Sequence, residues 1–252
     1  MVKNMKKLLV ILLAALMLVS LSACEIEIEN TDIKAVELDK KEVDDTLETA
    51  LGIFKYEYIE SSTLRIVSYT TKGEAHDLVI PAEMNGKTVV EIGEGAFYSD
   101  STILSVDVPN TVKKIGDVAF ACCESMKWAR VPASVADMGI DTFYGCTGLE
   151  SVEFSECENA ALTEIGFWAF GECTALKNIN VPASVTKIEA GAFFNCEALE
   201  NVVFADAANW FVVENRGQEN EERTAIDVST VVAASDAVAH NLFEIVKIAP
   251  AV

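Results

Sequence analysis

Ile188-Glu189-Ala190-Gly191-Ala192-Phe193-Phe194-Asn195-Cys196-Glu197-Ala198-Leu199 is the most regular copy of a segment that occurs five times along the chain. Each copy contains a phenylalanine preceded by alanine or threonine. These phenylalanines are spaced 23, 23, 27 and 23 residues apart, at Phe97, Phe120, Phe143, Phe170 and Phe193. A fixed period of this size is typical of a solenoid, in which each repeat packs only against its neighbours.

Two apolar positions, nine and eleven residues after each phenylalanine, indicate a strand with one buried face, because they lie two residues apart. The pairs are Val106 and Val108, Ala129 and Val131, Val152 and Phe154, Ile179 and Val181, and Val202 and Phe204. A proline follows three of them and ends the strand, because proline has no N–H. Each unit of about 23 residues is therefore predicted to be one short strand and a turn-rich return. The long repeat holds a four-residue insertion around Cys157.

The segment from Ile165-Gly166 to Ile188 matches the pattern I-G-x-x-A-F-x-x-C-x-x-L-x-x-V-x-[VIL]-P-x-S-V-x-x-I at nearly every position. This pattern resembles the BspA-like (Treponema pallidum type) leucine-rich repeat family, from about Leu78 to Ala205. The resemblance implies a repeat solenoid, a right-handed leucine-rich-repeat-like stack. For some family members it also implies adhesion or host interaction. Relatives often end in a tyrosine-rich tail, and this chain ends differently.

Residues 1–23 have the features of a signal peptide. Lysines precede an uninterrupted apolar run from Leu8 to Val19, which is short for a membrane span and matches a signal-peptide core. The following Leu21-Ser22-Ala23-Cys24 resembles a bacterial lipobox, which implies cleavage before Cys24 and lipidation of its thiol. We therefore predict a lipid-anchored, extracytoplasmic protein at the bacterial cell surface. An ordinary secretory signal followed by a chance cysteine is the alternative.

Three regions lie between the signal peptide and a C-terminal cap. Residues 24–48 are rich in Asp and Glu and predict an acidic tether, although a short helix near Asp45–Leu51 is an alternative for its end. Residues 49–77 predict an N-terminal cap, a β-hairpin with strands at 53–59 and 64–69. Residues 78–205 form the predicted leucine-rich repeat solenoid.

Residues 206–252 are predicted to form a C-terminal cap. Trp210 to Glu214 has the pattern of a last strand, and residues 215–223 form a charged loop. Ser235-Asp236 is a suitable N-cap for a helix that runs to about Lys247.

Four of the seven cysteines stand at one repeat position, three residues after the phenylalanine: Cys123, Cys146, Cys173 and Cys196. Equivalent positions stack in a solenoid, so we expect a buried ladder of reduced thiols that pack as small apolar groups. Disulfides between neighbouring members would have poor geometry, because their Cβ directions are parallel. Cys122 and Cys157 lie off the ladder and are candidates for exposed, reactive thiols, and the sequence leaves their pairing open.

The net charge of −21 opposes nucleic-acid binding, because a phosphate backbone requires a basic surface. No Cys-x-x-Cys pair is present and only two histidines occur, so a zinc site is not predicted. The sequence also lacks an EF-hand loop, a P-loop, a Gly-x-Ser-x-Gly elbow and a His-Glu-x-x-His motif. We predict a monomeric protein that is not an enzyme, with no cofactor and no metal site.

The candidate ligand-binding residues are on the outward side of the predicted strands, eight and ten residues after each phenylalanine. They include Trp128, Arg130, Glu153, Asn178 and Asn180. Trp and Arg are enriched at binding hot spots. The alternative for Trp128 is that its ring only shields the sheet.

Trp168 is the further candidate, in a turn rich in exposed aromatic residues. With Phe167, Tyr98, Tyr144 and Phe194 it could form an aromatic patch on the flank of the solenoid. Packing between successive turns is the alternative.

These features together predict a surface lipoprotein whose repeats bind an extracellular protein or another macromolecule. Two other functions remain open at this point. One is a glycan-binding accessory protein, in which Trp128 is the platform and Asn178 and Asn180 donate hydrogen bonds. The other is a structural spacer of the envelope without a specific ligand.

Overall fold

The computed structural model describes residues 46–155 and 160–206 in full, and the backbone of three further strands at 210–214, 222–226 and 244–247. The chain divides into two units, Met1–Lys41 and Glu42–Val252, and every described residue belongs to the second. The predicted signal peptide, Cys24, most of the predicted tether and Cys157 lie outside the described residues. No helix in the described part of the chain has the length and apolar character that crossing a membrane requires.

The regular elements of the described residues are strands. In chain order they are β1 (Thr46–Glu48), β2 (Gly52–Glu60), β3 (Thr63–Thr71), β4 (His76–Val79), β5 (Glu83–Met84), β6 (Lys87–Ile92), β7 (Ile103–Asp107), β8 (Lys114–Ile115), β9 (Trp128–Val131), β10 (Asp137–Met138), β11 (Ser151–Phe154), β12 (Glu164–Ile165), β13 (Asn178–Val181), β14 (Lys187–Ile188), β15 (Asn201–Phe204), β16 (Trp210–Glu214), β17 (Glu222–Ile226) and β18 (Glu244–Lys247).

Each repeat contributes two strands, one to each side of the solenoid. The predicted strand is present in every unit, and β4, β7, β9, β11, β13 and β15 form one six-stranded parallel sheet, here called the repeat sheet. A second strand of only two residues was not expected from the sequence. It ends at the aliphatic residue five positions before the phenylalanine, as in β8 and β10, which pair in parallel. The expectation of one strand per unit was therefore incomplete.

The five repeat phenylalanines form a continuous stack through the core. Neighbouring rings are nearly parallel, within 9°, and their centroids lie 4.9, 5.2, 5.5 and 5.6 Å apart from Phe97 to Phe193. All five side chains are fully buried. Each ring thus packs on the equivalent ring of the next repeat, which explains why the sequence requires phenylalanine once per turn.

The four ladder cysteines, Cys123, Cys146, Cys173 and Cys196, are buried, and none of the described cysteines forms a disulfide. Each thiol lies against the backbone carbonyl of the phenylalanine one repeat earlier. The Sγ–O distances are 3.1, 3.1, 3.2 and 3.1 Å along the series. The cysteines therefore fill small buried sites and also donate hydrogen bonds between turns. Burial raises the pKa of Cys146 and Cys173 well above the ordinary value, and that of Cys196 to about 12.

Two residues in each turn have a left-handed backbone, one two positions before the phenylalanine and one two positions after it. The first set is Gly95, Val118, Asp141, Trp168 and Gly191, and the second is Ser99, Cys122, Gly145, Glu172 and Asn195. Glycine adopts this conformation without steric cost, whereas a bulky or β-branched side chain is strained there. Val118, with φ of 50°, and Trp168, with φ of 53°, are therefore strained positions that the stacked neighbours hold in place.

The N-terminal cap is the predicted hairpin of β2 and β3, with a two-residue turn at Ser61-Ser62. Strand β3 pairs in parallel with β6, so the hairpin extends the side of the solenoid that carries the two-residue strands. The suggested helix near residues 45–51 is wrong, because Thr46–Glu48 is strand β1 and pairs antiparallel with β2. Leu47 packs against the core, which favours a strand at the end of the predicted tether.

The described segments of the C-terminal cap after residue 206 are three strands. Strand β16 spans the predicted residues Trp210–Glu214, but Glu222 and Arg223 of the predicted loop begin strand β17. The predicted helix is wrong over its last four residues, because β18 pairs antiparallel with β14 and β16. Pairing with these strands outweighs the local helix signal. Residues 235–243 of that prediction lie outside the described residues.

Candidate functional site

The outward side of the repeat sheet, here called the open face, carries two rows of side chains. Parallel pairing in register places equivalent residues of successive repeats next to each other. The first row is Asp77, Ser105, Trp128, Ser151, Asn178 and Asn201. The second row is Val79, Asp107, Arg130, Glu153, Asn180 and Val203. The apolar residues between them in sequence are buried, so the strand periodicity predicted this face correctly.

Trp128 lies near the middle of the first row and is partly exposed. Its neighbours in register are Ser105 on β7 and Ser151 on β11, both with short side chains. Trp128 is the only large aromatic residue among the twelve described residues of the open face.

Arg130 lies two residues after Trp128 on the same face and forms an ion pair with Asp107 of the preceding strand. Both side chains are partly exposed, at 26% for Arg130 and 34% for Asp107. Glu153 is the register neighbour of Arg130 on β11 and is exposed. Arg130 is thus flanked by carboxylates in both adjacent repeats, which leaves the central part of the open face polar and locally acidic.

Asparagines dominate the C-terminal part of the open face. The amide of Asn201 donates to the side-chain oxygen of Asn178 over 2.7 Å. Both residues and Asn180 are exposed. Each amide has two N–H donors and one acceptor oxygen, so these side chains retain hydrogen-bonding capacity toward solvent or a ligand.

Charges alternate along the rim of the open face, one residue before β9, β11, β13 and β15, at Lys127, Glu150, Lys177 and Glu200. Lys177 donates to Glu150 over 2.8 Å, and this hydrogen bond lowers the pKa of Glu150 and raises the pKa of Lys177. Both groups are exposed to solvent, so the pair contributes little to stability. It places mixed charge rather than apolar surface at the border of the open face.

Trp168 lies elsewhere, in the turn between β12 and β13, and does not join the open face. Its ring packs against Phe194, with centroids 4.8 Å apart, and against Tyr144 at 5.7 Å. A Cβ on Gly191 would lie 2.6 Å from the Nε1 of Trp168, so glycine at that position makes room for the indole. Packing between turns therefore accounts for Trp168, and burial raises the pKa of the adjacent Tyr144.

The flank thus carries a cluster of Tyr144, Phe167, Trp168 and Phe194, joined by ring contacts of 4.8–5.9 Å. Tyr98, which the sequence placed in the same group, is 58% exposed and has no ring contact with the cluster. Of the six ligand-binding candidates, Trp128, Arg130, Glu153, Asn178 and Asn180 share the open face. Trp168 is separate from them.

Two residues of the open face, Asp77 and Val79, were not among the sequence candidates. They precede the first Ala-Phe unit, so counting from the phenylalanines did not reach them. The match of Leu78, Ile80 and Pro81 to Val106, Val108 and Pro109 of the next repeat is the sequence signal that could have identified them.

The described residues contain no group of three or more His, Cys, Asp or Glu side chains placed to hold a metal ion. The two-row arrangement on the open face places one large aromatic residue among mainly polar side chains.

The repeat geometry agrees with a known family. The model of the BspA type leucine rich repeat region matches residues 86–211, half of the chain, in six copies. This chain belongs to the BspA-type leucine-rich repeat family. The resemblance that the repeated Ala-Phe units indicated is therefore confirmed.

Two solved structures illustrate the similarity of the fold. The BspA-type repeat chain is 28% identical to the T. pallidum leucine rich repeat protein (TpLRR), with a TM-score of 0.53, over 59% of this chain and 67% of that one. A leucine-rich repeat protein from Eubacterium ventriosum is 17% identical, with a TM-score of 0.51, over 64% of this chain and 40% of that one. The search of curated proteins gave no significant match.

Proposed function

We propose that this BspA-type repeat protein is a surface lipoprotein that binds an extracellular protein through its open face. Membership of a leucine-rich repeat family supports a binding role. A fold alone does not specify a ligand, so the proposal depends on the side chains of the open face. The observation that carries it is the partly exposed Trp128, which lies between two serines in register and on the same face as Arg130.

The residue types and the dimensions of the open face are suited to a protein partner. Trp and Arg account for a large share of hot-spot residues, which tend to lie near the centre of an interface. Six strands at about 4.8 Å spacing span about 24 Å, so the open face supplies the central part of one side of a standard interface, which buries about 800 Å². The inner side of the repeat sheet belongs to the same buried core as the phenylalanine stack, so a partner would bind a packed, preformed surface.

Truncation of Trp128 tests the open face. We expect Trp128→Ala to weaken binding of a captured surface or extracellular-matrix protein by about 30-fold, which corresponds to a hot-spot loss of about 2 kcal/mol. Arg130→Ala should weaken it further by removing the guanidinium beside the indole. Partners are captured on the immobilised protein, and their affinities for each variant are then measured by surface plasmon resonance.

Matched controls come from residues outside the open face. Tyr98→Ala removes an aromatic side chain that is 58% exposed, and Arg65→Ala removes an arginine paired with Glu57 and Glu91. Both should leave the affinity unchanged. If the Trp128 and Arg130 variants bind every captured partner like the unaltered protein, the open face is not the binding surface. Absence of any specific partner would favour the role of an envelope spacer.

A glycan is the second candidate ligand, supported by the exposed amides of Asn178, Asn180 and Asn201. Aromatic rings and amide side chains are suited to sugar rings and hydroxyl groups, respectively. Saturable glycan-array binding that Trp128→Ala and Asn180→Ala both abolish would favour this accessory role over protein binding.

The lipid anchor is tested at Cys24. If the lipobox interpretation holds, Cys24→Ser prevents acylation, and we expect the protein to move from the membrane fraction to the soluble or secreted fraction. Stable anchoring requires more than one acyl chain, so loss of the acceptor thiol should be decisive. Cys122→Ser is the matched control, because it changes a partly exposed thiol within the repeats, and it should stay membrane-bound. Unchanged membrane retention of Cys24→Ser would contradict the interpretation.

A further inference from the structure

The repeat sheet ends at β4, and no strand pairs with its outer edge in the described part of the chain. The N-terminal hairpin covers the other side of the solenoid, because β3 pairs with β6. Among the described residues, the N-terminal end of this solenoid thus has one capped side and one open strand edge. An open edge offers unpaired backbone donors and acceptors to another chain.

Alternate residues of β4 direct their backbone N–H and C=O groups toward β7, and the residues between them direct these groups toward the free edge. The N–H of His76 donates to Thr102 over 2.8 Å, and the N–H of Ile80 donates to Asp107 over 3.1 Å. Since N–H and C=O groups alternate in direction along a strand, those of Asp77 and Val79 are directed away from β7. The free edge therefore presents two complete backbone donor–acceptor pairs.

An apolar groove runs beside this edge. Its volume is about 320 Å³, and its apolar lining is Leu47, Leu51, Phe54, Leu78, Val79 and Pro81. Leu51 is 43% exposed and Val79 is 68% exposed, so apolar side chains are open to solvent next to unpaired backbone. The turn between β1 and β2, with Thr49 and Ala50, forms the opposite wall.

We propose that the edge of β4 and this groove bind an extended peptide segment of a partner protein, which adds as a strand to the repeat sheet. In strand addition, backbone hydrogen bonds supply affinity and alternate side chains supply specificity. Apolar side chains of the segment enter the groove, and Pro81 limits pairing to the four residues of β4. This site is distinct from the centre of the open face and does not depend on Trp128.

Charge identifies the segment as basic. Asp77 is the charged residue that lines the groove, and it is exposed. The whole chain carries a net charge of −21, so a segment with lysine or arginine beside its apolar residues is attracted. A second copy of this chain would bring a like charge to the edge, which disfavours self-pairing.

A peptide of alternating valine and lysine is the probe, labelled with a fluorophore and titrated with the full-length protein in detergent. We expect saturable binding by fluorescence polarisation. Val79→Lys should lower the affinity at least tenfold, because it places a like charge in the groove. Val203→Lys is the matched control: Val203 has the equivalent outward position on β15, is 55% exposed, and should bind the peptide with unchanged affinity.

Backbone methylation of the peptide separates strand addition from simple charge attraction. The methylated peptide has the same sequence and carries an N-methyl group on every residue. Methylation removes each backbone N–H donor, so this peptide cannot pair with β4 in either strand direction, while its charge stays the same. We expect the unmethylated peptide to bind and the methylated peptide to fail.

Several outcomes would overturn the proposal. These are absence of saturable binding up to about 1 mM peptide, equal binding of the methylated and unmethylated peptides, and equal losses for Val79→Lys and Val203→Lys. Sedimentation provides the last test. A dimer that Val79→Lys dissociates would assign the edge to a second copy of the chain, against the partner peptide proposed.

Discussion

Phe143→Ala is expected to lower the free energy of unfolding by about 3–5 kcal/mol, the range for truncating a buried phenylalanine. Phe143 is fully buried in the middle of the phenylalanine stack. Its ring lies 5.2 Å from that of Phe120 and 5.5 Å from that of Phe170, so truncation removes two stacking contacts. A cavity would remain, because rigid neighbouring turns limit collapse of the site.

Urea unfolding followed by circular dichroism measures this effect. Phe167→Ala is the matched control, because it deletes the same side chain at a position that is 45% exposed. That change should lower stability by only about 1 kcal/mol, because the half-exposed ring makes one ring contact, with Trp168. Similar losses for the two variants would contradict the view that the stack holds successive repeats together.

Repetition explains why most of this fold was predictable from sequence. An apolar pair such as Val152 and Phe154 is a weak strand signal by itself, but its recurrence in register over five units makes the strand, its buried face and its partners predictable. The same reasoning placed the ladder cysteines at one position, where the structure buries them. The repeat period of the sequence thus identifies the side chains that are buried between successive turns.

Features defined by pairing between distant residues were harder to predict. The strand Lys114–Ile115 has only two residues and exists through its neighbours, so no local pattern marks it. The caps occur once each, and β18 forms by pairing with β14 where local propensity suggested a helix. The left-handed position of Trp168 also had no clear signal, because only two of the five copies have glycine there.

The binding candidates illustrate the same limit. Strand alternation showed that Trp128 and Arg130 face outward, which the structure shows as well. It could not show that Arg130 pairs with Asp107 across strands, or that Trp168 packs over Gly191 on a different surface. Such contacts depend on side-chain direction in three dimensions, and they differ between copies of the repeat.

Alkaline pH should destabilise the protein steeply because of the ladder thiols. Burial holds the pKa of Cys146 and Cys173 well above the ordinary value and that of Cys196 at about 12. The folded state therefore keeps these protons after the unfolded state has lost them. Their contribution to stability is complete below the unfolded pKa of about 8.5 and is lost as the pH rises toward the folded values.

The size of the effect follows from the number of protons. Each thiol that is ionised only in the unfolded state lowers the free energy of unfolding by about 1.4 kcal/mol per pH unit, so three give about 4 kcal/mol per unit above pH 9. Burial also raises the pKa of Tyr69 and Tyr144, which adds a loss of the same sign at higher pH. We expect a sharp fall in stability between about pH 9 and pH 11.

Urea unfolding at pH 8, 9 and 10 under reducing conditions measures the slope, and a triple variant assigns it. C146A/C173A/C196A should be less stable at pH 8, since it loses three inter-turn hydrogen bonds and buried sulfur. Its stability should nevertheless fall much less from pH 9 to pH 10, because the buried thiols are gone. Cys122→Ala, which changes a partly exposed thiol, should keep the steep slope.

An equal slope in the triple variant would show that other groups cause the alkaline loss. If the triple variant instead loses the steep dependence of stability on pH, the buried thiols of the cysteine ladder are the groups whose ionisation destabilises the stacked turns at alkaline pH.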